Sequence, residues 1–382
     1  MSDVSTHHRA EFDSVPDIVV SAPGTVNLMG AHTEESEGMV LQVGLNRRMF
    51  VAVSCRKDQS LRFFAADPGE RKRTTISGLR YKREDRWANL VKGVIAGLLE
   101  RNVRVPGLNV TIRGDVPSGI GLASSAAITS ATVSALDTCL ELGLSARDRT
   151  AIAVGAERDF MGRTVGQSEC ITALYAVQDA ALAIDTRAAR YAPVGLELSG
   201  IKLLVTDSKV PISPARAEYE ERLADCRTCV DVLQERRPGR ALRDFTLDDL
   251  QSVLGRVPET ARRRCLHVVH ENQRVKNMVE ALRRRDFHAA GRLLSRSHAS
   301  LRDLYEVSCP EIDWLVKRSL ETSGVLGIRI TGNGFGGCAI ALVEDGAIDA
   351  YYARLDEYER IFGFRPEAFV CRASAGARIE DN

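Results

Sequence analysis

A glycine- and serine-rich segment between a predicted strand and a predicted helix constrains the fold of this 382-residue chain more than any other feature. The segment reads GDVPSGIGLASSAA over residues 114–127. Before it, Leu108, Val110 and Ile112 alternate with polar residues, which predicts a half-buried strand. After it, an alanine-rich stretch at 123–142 predicts a helix. The alternation of strands and helices along the chain favours an α/β or α+β class over an all-helical one.

A loop of this composition suits a polyphosphate. Its glycines let the backbone turn with N–H groups facing inward, and the helix start adds unpaired donors and the positive end of a helix dipole. Ser124 and Ser125 add hydroxyl ligands. The segment has neither the GKS or GKT of a Walker A loop nor the GxGxxG spacing of a dinucleotide-binding loop. Taken alone, an ordinary strand-to-helix turn is the alternative.

Composition and charge restrict the partners that the chain can have. Lys and Arg total 52 residues against 51 Asp and Glu, so the formal net charge is only +1. Such a chain gives no general electrostatic reason to bind nucleic acid or a membrane surface. It contains no uncharged apolar run of about 18 residues, so no segment is expected to span a bilayer. We expect a cytoplasmic protein, monomeric or homodimeric, whose partner is a small molecule.

The chain length predicts two domains with a cleft between them. The first 16 residues are polar and lack a signal-peptide core, which predicts a mobile N-terminal arm over 1–16. A polar, turn-rich stretch at 189–200 precedes an apolar strand at 202–206, so we place the domain boundary near residue 200. The predicted domains are 17–200, which carries the glycine- and serine-rich loop, and 201–382.

Short pairs of Cys and His residues do not predict a metal site. The nine cysteines are scattered along the chain, which is typical of reduced thiols in a cytosol. Cys226 and Cys229 form one CxxC on a predicted helix, but no second pair follows at zinc-site spacing. His267 and His270 have no third ligand nearby in the sequence, which favours histidines on a helix surface.

Three motifs resemble those of one kinase family and occur in the family's order. PSGIGLASSAA, at 117–127, is similar to the second motif of the GHMP kinases, the family of galactokinase, homoserine kinase, mevalonate kinase and phosphomevalonate kinase. APGTVNLMGAHTEE, at 22–35, resembles the amino-terminal galactokinase signature. RITGNGFGGCAIALV, at 329–343, resembles the glycine-rich third motif. Segments between them, such as WANLVKGVI and LLVTDSKV, extend the resemblance over nearly the whole chain.

The resemblance implies an α+β, two-domain GHMP kinase fold with the active site in the inter-domain cleft. The N-terminal domain would be of the ribosomal-protein-S5-like type and the C-terminal domain a ferredoxin-like α/β unit. ATP and Mg²⁺ are the implied cofactors. The nucleotide would contact a set of loop residues and one aromatic side chain: Pro117, Gly119, Gly121, Leu122, Ala123, Ser124, Ser125 and Trp87.

Ser125 and Glu157 match the positions of the family's magnesium ligands, and a hydroxyl with a carboxylate suits Mg²⁺. Without the family match, Glu157 would be assigned to a solvent-facing helix position. A role in the hydrophobic core is the alternative for Trp87, because this residue opens an amphipathic helix.

The catalytic positions depart from the galactokinase pattern. The family's catalytic Asp lies twelve residues after the magnesium-binding Glu, and this chain has Glu169 there. A carboxylate at this position would accept or orient the proton of the acceptor hydroxyl. Thr25 stands where the family has an arginine. Loss of that cation is expected to raise the basicity of Glu169 and to remove stabilisation of transition-state charge.

The implied acceptor-binding residues are Thr25, His32, Glu34, Gly166, Tyr219 and Gly334. In the first motif, Ala31 and Glu34 replace the Glu and Asp with which galactokinase binds its sugar, and only His32 is retained. A buried core tyrosine is the alternative for Tyr219. Because polar sites discriminate through specific hydrogen bonds, these changes predict a polyhydroxylated acceptor other than galactose.

The sequence therefore supports three hypotheses. The first is an ATP-dependent kinase that phosphorylates a hydroxyl of a modified sugar, a sugar phosphate or a cyclitol. The second is a catalytically silent relative that binds nucleotide or sugar and regulates a partner, as the changes at Thr25, Ala31 and Glu169 would permit. The third is a true galactokinase with a variant site. We favour an enzyme, because Ser125, Glu157 and an acidic residue at position 169 are all present.

Overall fold

The computed structural model describes residues 3–212, 216–253 and 255–381, which form two α+β units, each built on its own β-sheet. The strands are β1 (Ile18–Met29), β2 (Met39–Arg56), β3 (Ser60–Ala65), β4 (Glu70–Thr75), β5 (Gly107–Gly114), β6 (Ala180–Asp185), β7 (Arg190–Gly195), β8 (Ile201–Asp207), β9 (Val325–Ile330), β10 (Cys338–Glu344), β11 (Glu367–Cys371) and β12 (Arg378–Ile379).

The helices are α1 (Asp3–Phe12), α2 (Ala88–Leu99), α3 (Ser124–Cys139), α4 (Ala146–Arg158), α5 (Ser168–Tyr175), α6 (Arg216–Gln234), α7 (Leu247–Gln251), α8 (Glu259–Arg283), α9 (Phe287–Ser300), α10 (Pro310–Leu320) and α11 (Ile348–Phe362). Among the helices of the described residues, no stretch has the length and apolar character that crossing a lipid bilayer requires.

The first unit is a mixed sheet with helices packed on it. Within the described residues its main path runs β12-β1-β2-β5-β3-β4, and β6 and β7 extend it from β2. The β3–β5 pair is parallel and the other pairs are antiparallel. The predicted amphipathic helix after Trp87 is α2, and its apolar residues are buried in the same core as those of α3 and α4. The sheet and these helices fix the loop between β5 and α3.

The second unit holds an antiparallel sheet in the order β11-β8-β10-β9. The change of sheet falls between β7 and β8, close to the residue 200 at which the sequence placed the domain boundary. The end of the chain returns to the first sheet, where β12 pairs with β1. Helices α8 and α9 contact β1 of the first unit, and α9 also packs on β9 of the second. Helix α9 therefore contacts the sheets of both units.

The N-terminal segment forms a packed helix where the sequence predicted a mobile arm. Helix α1 buries Val4 in a small cluster with Val19 and Ala52. His8 is fully buried, and its ring nitrogens contact the hydroxyl oxygens of Thr111 and Ser54, each at 2.9 Å. The prediction is wrong for residues 3–12 because polar side chains that hydrogen-bond to the sheet hold much of this helix in place.

Candidate active site

The glycine- and serine-rich loop leaves the first N–H groups of α3 without a side-chain cap. Gly119, Gly121 and Ala123 have positive φ angles of 78°, 87° and 52°, so the chain turns sharply before Ser124. Ala123 is the N-cap residue of α3 and makes no side-chain capping hydrogen bond. Uncapped N–H groups at the positive end of a helix dipole are a ready site for an anion.

This loop forms one wall of a cavity of about 590 Å³, called the loop cavity below. The glycine-rich turn of the second unit lies against it, because a Cβ atom on Gly121 would be 3.4 Å from the Cα atom of Gly332. Glu157 and Glu169 face the loop in the same cavity. The predicted nucleotide-binding residues that line it are Gly119, Gly121, Leu122, Ala123, Ser124 and Ser125.

A smaller cavity of about 90 Å³, called the inner cavity, adjoins the loop cavity. The predicted acceptor-binding residues that line it are His32, Glu34, Gly166 and Tyr219. Side-chain amides of Asn27 and Gln42 also line it. Glu169 lines both cavities and therefore lies at their junction.

Glu169 is a carboxylate in an unusually basic state. It lies in the first turn of α5, where burial raises its pKa to about 8 and the charges of Glu157, Glu34 and Glu35 add to the effect. The pKa of Glu169 thus lies near neutral pH, where a general base works well. The sequence predicted a more basic Glu169 from the absence of an arginine at position 25, whereas here burial and the neighbouring carboxylates raise the pKa.

Glu34 holds the helix that carries Glu169. Its Oε1 atom accepts hydrogen bonds from the backbone N–H groups of Gln167 at 2.6 Å and Ser168 at 3.1 Å, and its Oε2 atom accepts one from the Ser168 hydroxyl. A carboxylate at a helix N-terminus accepts hydrogen bonds from free N–H donors and interacts favourably with the positive end of the helix dipole. Burial nevertheless raises the pKa of Glu34. Much of the hydrogen-bonding capacity of Glu34 is therefore used within the protein.

Aromatic rings form another wall of the inner cavity. His32 stacks on Tyr305 with ring centroids 4.5 Å apart, and the Tyr219 ring lies 5.8 Å from it. Burial, with the charges of His267 and Arg329, lowers the pKa of His32 to about 3, so its imidazole is neutral. The Tyr219 hydroxyl donates a hydrogen bond to Glu35.

Four predicted contact residues do not line either cavity within the described residues. Thr25 is 1% exposed, so its side chain is buried in the protein, and its hydroxyl has no hydrogen-bond partner among the described residues. Gly334 packs on Val307, whose carbonyl oxygen would be 2.5 Å from an added Cβ atom. The Trp87 indole donates to Glu70 at 3.0 Å and packs on the core, as the alternative for this residue proposed. Pro117 lies elsewhere in the loop.

The magnesium-ligand candidates Ser125 and Glu157 lie close to one another, and a cationic side chain contacts both. The Nη1 atom of Arg163 is 3.3 Å from the Ser125 hydroxyl and 3.3 Å from the Glu157 carboxylate. Glu157 is 4% exposed, so it does not occupy the solvent-facing position that was its alternative. Burial raises the pKa of Glu157, and the charge of Arg163 opposes this. A buried carboxylate and a hydroxyl that already attract one cation fit a hard divalent ion.

The sequence did not reveal Glu271, which fixes the backbone beside the inner cavity. This fully buried residue of α8 accepts hydrogen bonds from the N–H groups of Gly30 at 3.1 Å and Ala31 at 3.3 Å. Burial acts to raise its pKa, but the charges of Arg274, His267 and Arg329 lower it to about 2.

The same backbone is held by His267. This residue is buried, contrary to the prediction of a surface histidine, and its Nε2 atom lies 3.0 Å from the Ala31 carbonyl oxygen. Both Glu271 and His267 lie on the buried face of α8, together with Cys265 and Val268. Glu271 stands at a position of α8 where the helical spacing predicts an apolar residue. This mismatch was the signal that could have identified it as a buried carboxylate.

Comparison with known proteins agrees with this fold. Residues 89–176 match the model of the GHMP kinases N terminal domain, 278–360 the GHMP kinases C terminal model, and 6–55 the galactokinase galactose-binding signature. The chain is 37% identical to the galactokinase of Roseiflexus sp. strain RS-1, over 96% of this chain and 94% of that protein. It is 34% identical to the galactokinase of Thermotoga maritima, over 90% and 95%.

A crystal structure of Lactococcus lactis galactokinase complexed with galactose superposes with a TM-score of 0.93, at 26% identity over 99% of both chains. The fold, the uncapped loop and the carboxylates define an ATP-dependent phosphotransferase whose acceptor is an alcohol group. The chain belongs to the GHMP kinase family, and these three relatives are galactokinases.

Proposed function

We propose that this kinase transfers the γ-phosphate of ATP to a hydroxyl of galactose bound in the inner cavity. The observation that carries the proposal is the position of Glu169 at the junction of the two cavities, one of which it lines together with Ser125 and Glu157. An acceptor in the inner cavity and a terminal phosphate in the loop cavity would meet beside this carboxylate. Galactose is supported by the match to the galactose-binding signature and by the names of the relatives.

Gln42 supports a polyhydroxylated acceptor. The side chain lines the inner cavity at 3% exposure, and its Nε2 atom donates to the Ser168 hydroxyl at 3.3 Å. Its Oε1 atom has no hydrogen-bond partner among the described residues. Leaving a buried acceptor unpaired costs about 1–3 kcal/mol, so a ligand hydroxyl that donates to this oxygen would bind favourably.

In the proposed reaction, the acceptor oxygen attacks the γ-phosphorus of ATP and its proton passes to the Glu169 carboxylate. The bond between the γ-phosphorus and the bridging oxygen of ADP breaks, and ADP leaves with the electron pair. Ser125 and Glu157 would hold Mg²⁺, which neutralises phosphate charge when bound. The uncapped N–H groups of α3 hold the remaining phosphates.

A related sugar or polyol other than galactose is the second candidate. It is favoured by the observation that Ala31 offers the cavity no polar side chain and that Glu34 is engaged by the backbone of 167–168. The family comparisons support galactose better than the altered acceptor that the sequence predicted. Galactose is therefore the preferred candidate for the acceptor.

The test is a coupled ADP-release assay with galactose, 2-deoxygalactose, galactosamine, glucose, galactose 1-phosphate and myo-inositol as acceptors. We expect galactose to give the highest kcat/KM, and Gln42→Leu to raise the KM for galactose about tenfold, in line with the loss of one hydrogen bond. A preference of more than about tenfold for another acceptor would replace galactose by that compound. ADP release with none of them, while ATP still binds, would favour the silent relative.

A further inference from the structure

The charges that line the cleft are unbalanced. Four carboxylates face the loop cavity and the inner cavity: those of Glu34, Glu35, Glu157 and Glu169. Among the described residues that line these cavities, Arg163 is the only Lys or Arg. Phosphoryl transfer needs positive charge at the transferring group, and the dipole of α3 and one metal ion supply only part of it.

The position of Arg163 allows it to bring positive charge to a phosphate group in the loop cavity. The residue lies in the connection between α4 and α5, and its backbone N–H group donates to the Glu157 carbonyl oxygen at 3.0 Å. The side-chain contacts with Ser125 and Glu157 both use Nη1. The side chain is 48% exposed. Within the described residues, Nε and Nη2 make no hydrogen bond, so both are available to a ligand in the loop cavity.

We propose that Arg163 binds the terminal phosphate of the nucleotide and supplies the positive charge that the short, buried Thr25 does not. A guanidinium group offers paired N–H donors that match two phosphate oxygens, and such charge-assisted hydrogen bonds are strong. Arg163 would exchange its contact with Glu157 for contacts with the γ-phosphate when the nucleotide binds with its metal ion. It would thus stabilise the charge that forms on the transferring group while Glu169 takes the acceptor proton.

This inference rests on the proposed kinase function, but one of its tests does not require turnover. Calorimetry is used to compare a non-hydrolysable ATP analogue with ADP, each with Mg²⁺, in the wild type and in Arg163→Gln. We expect the analogue to lose about tenfold in affinity and ADP less than about twofold, because only the analogue carries the terminal phosphate. An unchanged ratio of the two affinities would overturn the proposal, even if the wild type phosphorylated no sugar.

The second test uses turnover on the acceptor that the wild type prefers. Removing one donor at a developing charge lowers kcat about 100-fold or more, so we expect that loss in Arg163→Gln and a smaller one in Arg163→Lys. Added guanidinium ion should partly restore Arg163→Ala. The matched control is Arg158→Gln, because Arg158 pairs with Asp159 on the surface near the end of α4 and lies outside both cavities. A kcat of Arg163→Gln within about threefold of the wild type would overturn the proposal.

Discussion

The carboxylate of Glu34 fills the space that a side chain at position 166 would need. A Cβ atom on Gly166 would lie 2.3 Å from the carboxyl carbon of Glu34. This close approach lets Glu34 bind the N–H groups at the start of α5 and so fix the helix that carries Glu169. Glycine at position 166 therefore leaves room for the side chain that supports the helix of Glu169.

Gly166→Ala is expected to destabilise the protein and to lower its activity. The added methyl group must displace Glu34, and overpacking of this kind costs about 1–3 kcal/mol. Urea unfolding measures the cost. Gly195→Ala is the control, because an added Cβ atom there meets nothing within 4 Å. Glu34→Ala in the Gly166→Ala background should cost less than the sum of the single changes. Strict additivity would show that the two residues do not interact.

Glu271→Gln is expected to weaken both stability and acceptor binding. The amide keeps the shape of the side chain but leaves the buried Arg329 and the partly buried Arg274 without their anionic partner, and breaking a buried ion pair costs about 3–5 kcal/mol. The backbone at Gly30 and Ala31 loosens with it, so the KM of the sugar should rise. Glu280→Gln, which removes an exposed pair on the same helix, should change neither quantity appreciably. Equal unfolding midpoints for the two variants would contradict the role given to Glu271.

The buried histidine of α1 should make stability depend on pH. Burial lowers the pKa of His8 from 6.5 to about 4, so the folded state favours the neutral ring. The stabilisation is complete above pH 6.5 and declines as the pH falls towards 4, since protonation then favours the unfolded chain. A shift of this size corresponds to about 3 kcal/mol. Urea unfolding at several pH values should show a smaller acid loss for His8→Gln, and an equal loss would contradict the assignment.

Activity should depend on the ionisation of Glu169. Its pKa of about 8 means that the basic carboxylate form predominates above that pH and is lost as the pH falls through it. The acidic limb of kcat/KM for the sugar should therefore lie near pH 8, because kcat/KM reports the free enzyme. Binding of a non-hydrolysable ATP analogue serves as the control and should not follow the same limb. A limb near the ordinary carboxyl value of 4.5 would contradict the prediction.

The local parts of the fold and site were predictable from the sequence because their signals are local. Gly119 and Gly121, with Ser124 at the start of a regular helix, predicted the sharp turn between β5 and α3 without reference to distant residues. Apolar spacing identified α2 for the same reason. Helix α1 was missed because much of its buried contact with the sheet is made by a polar residue, His8. The helix therefore has no apolar stripe that the sequence would reveal. Strand β7 was missed because it is a largely exposed strand that contains Pro193.

The three-dimensional parts of the site were not predictable in this way. Arg163 and Ser125 are 38 residues apart, and Glu271 and Gly30 are 241 apart, so their contacts depend on how the elements pack. Thr25 and Glu34 illustrate a second difficulty. Each occupies a motif position, but the packed structure buries Thr25 and brings the Glu34 carboxylate to the start of α5.

Steady-state kinetics of Glu169→Gln, combined with its affinity for a non-hydrolysable ATP analogue, tests the central claim most directly. If this carboxylate takes the acceptor proton, kcat should fall by about 100-fold or more while the analogue binds as in the wild type. A kcat within about threefold of the wild type would show that the junction of the two cavities is not where phosphoryl transfer occurs.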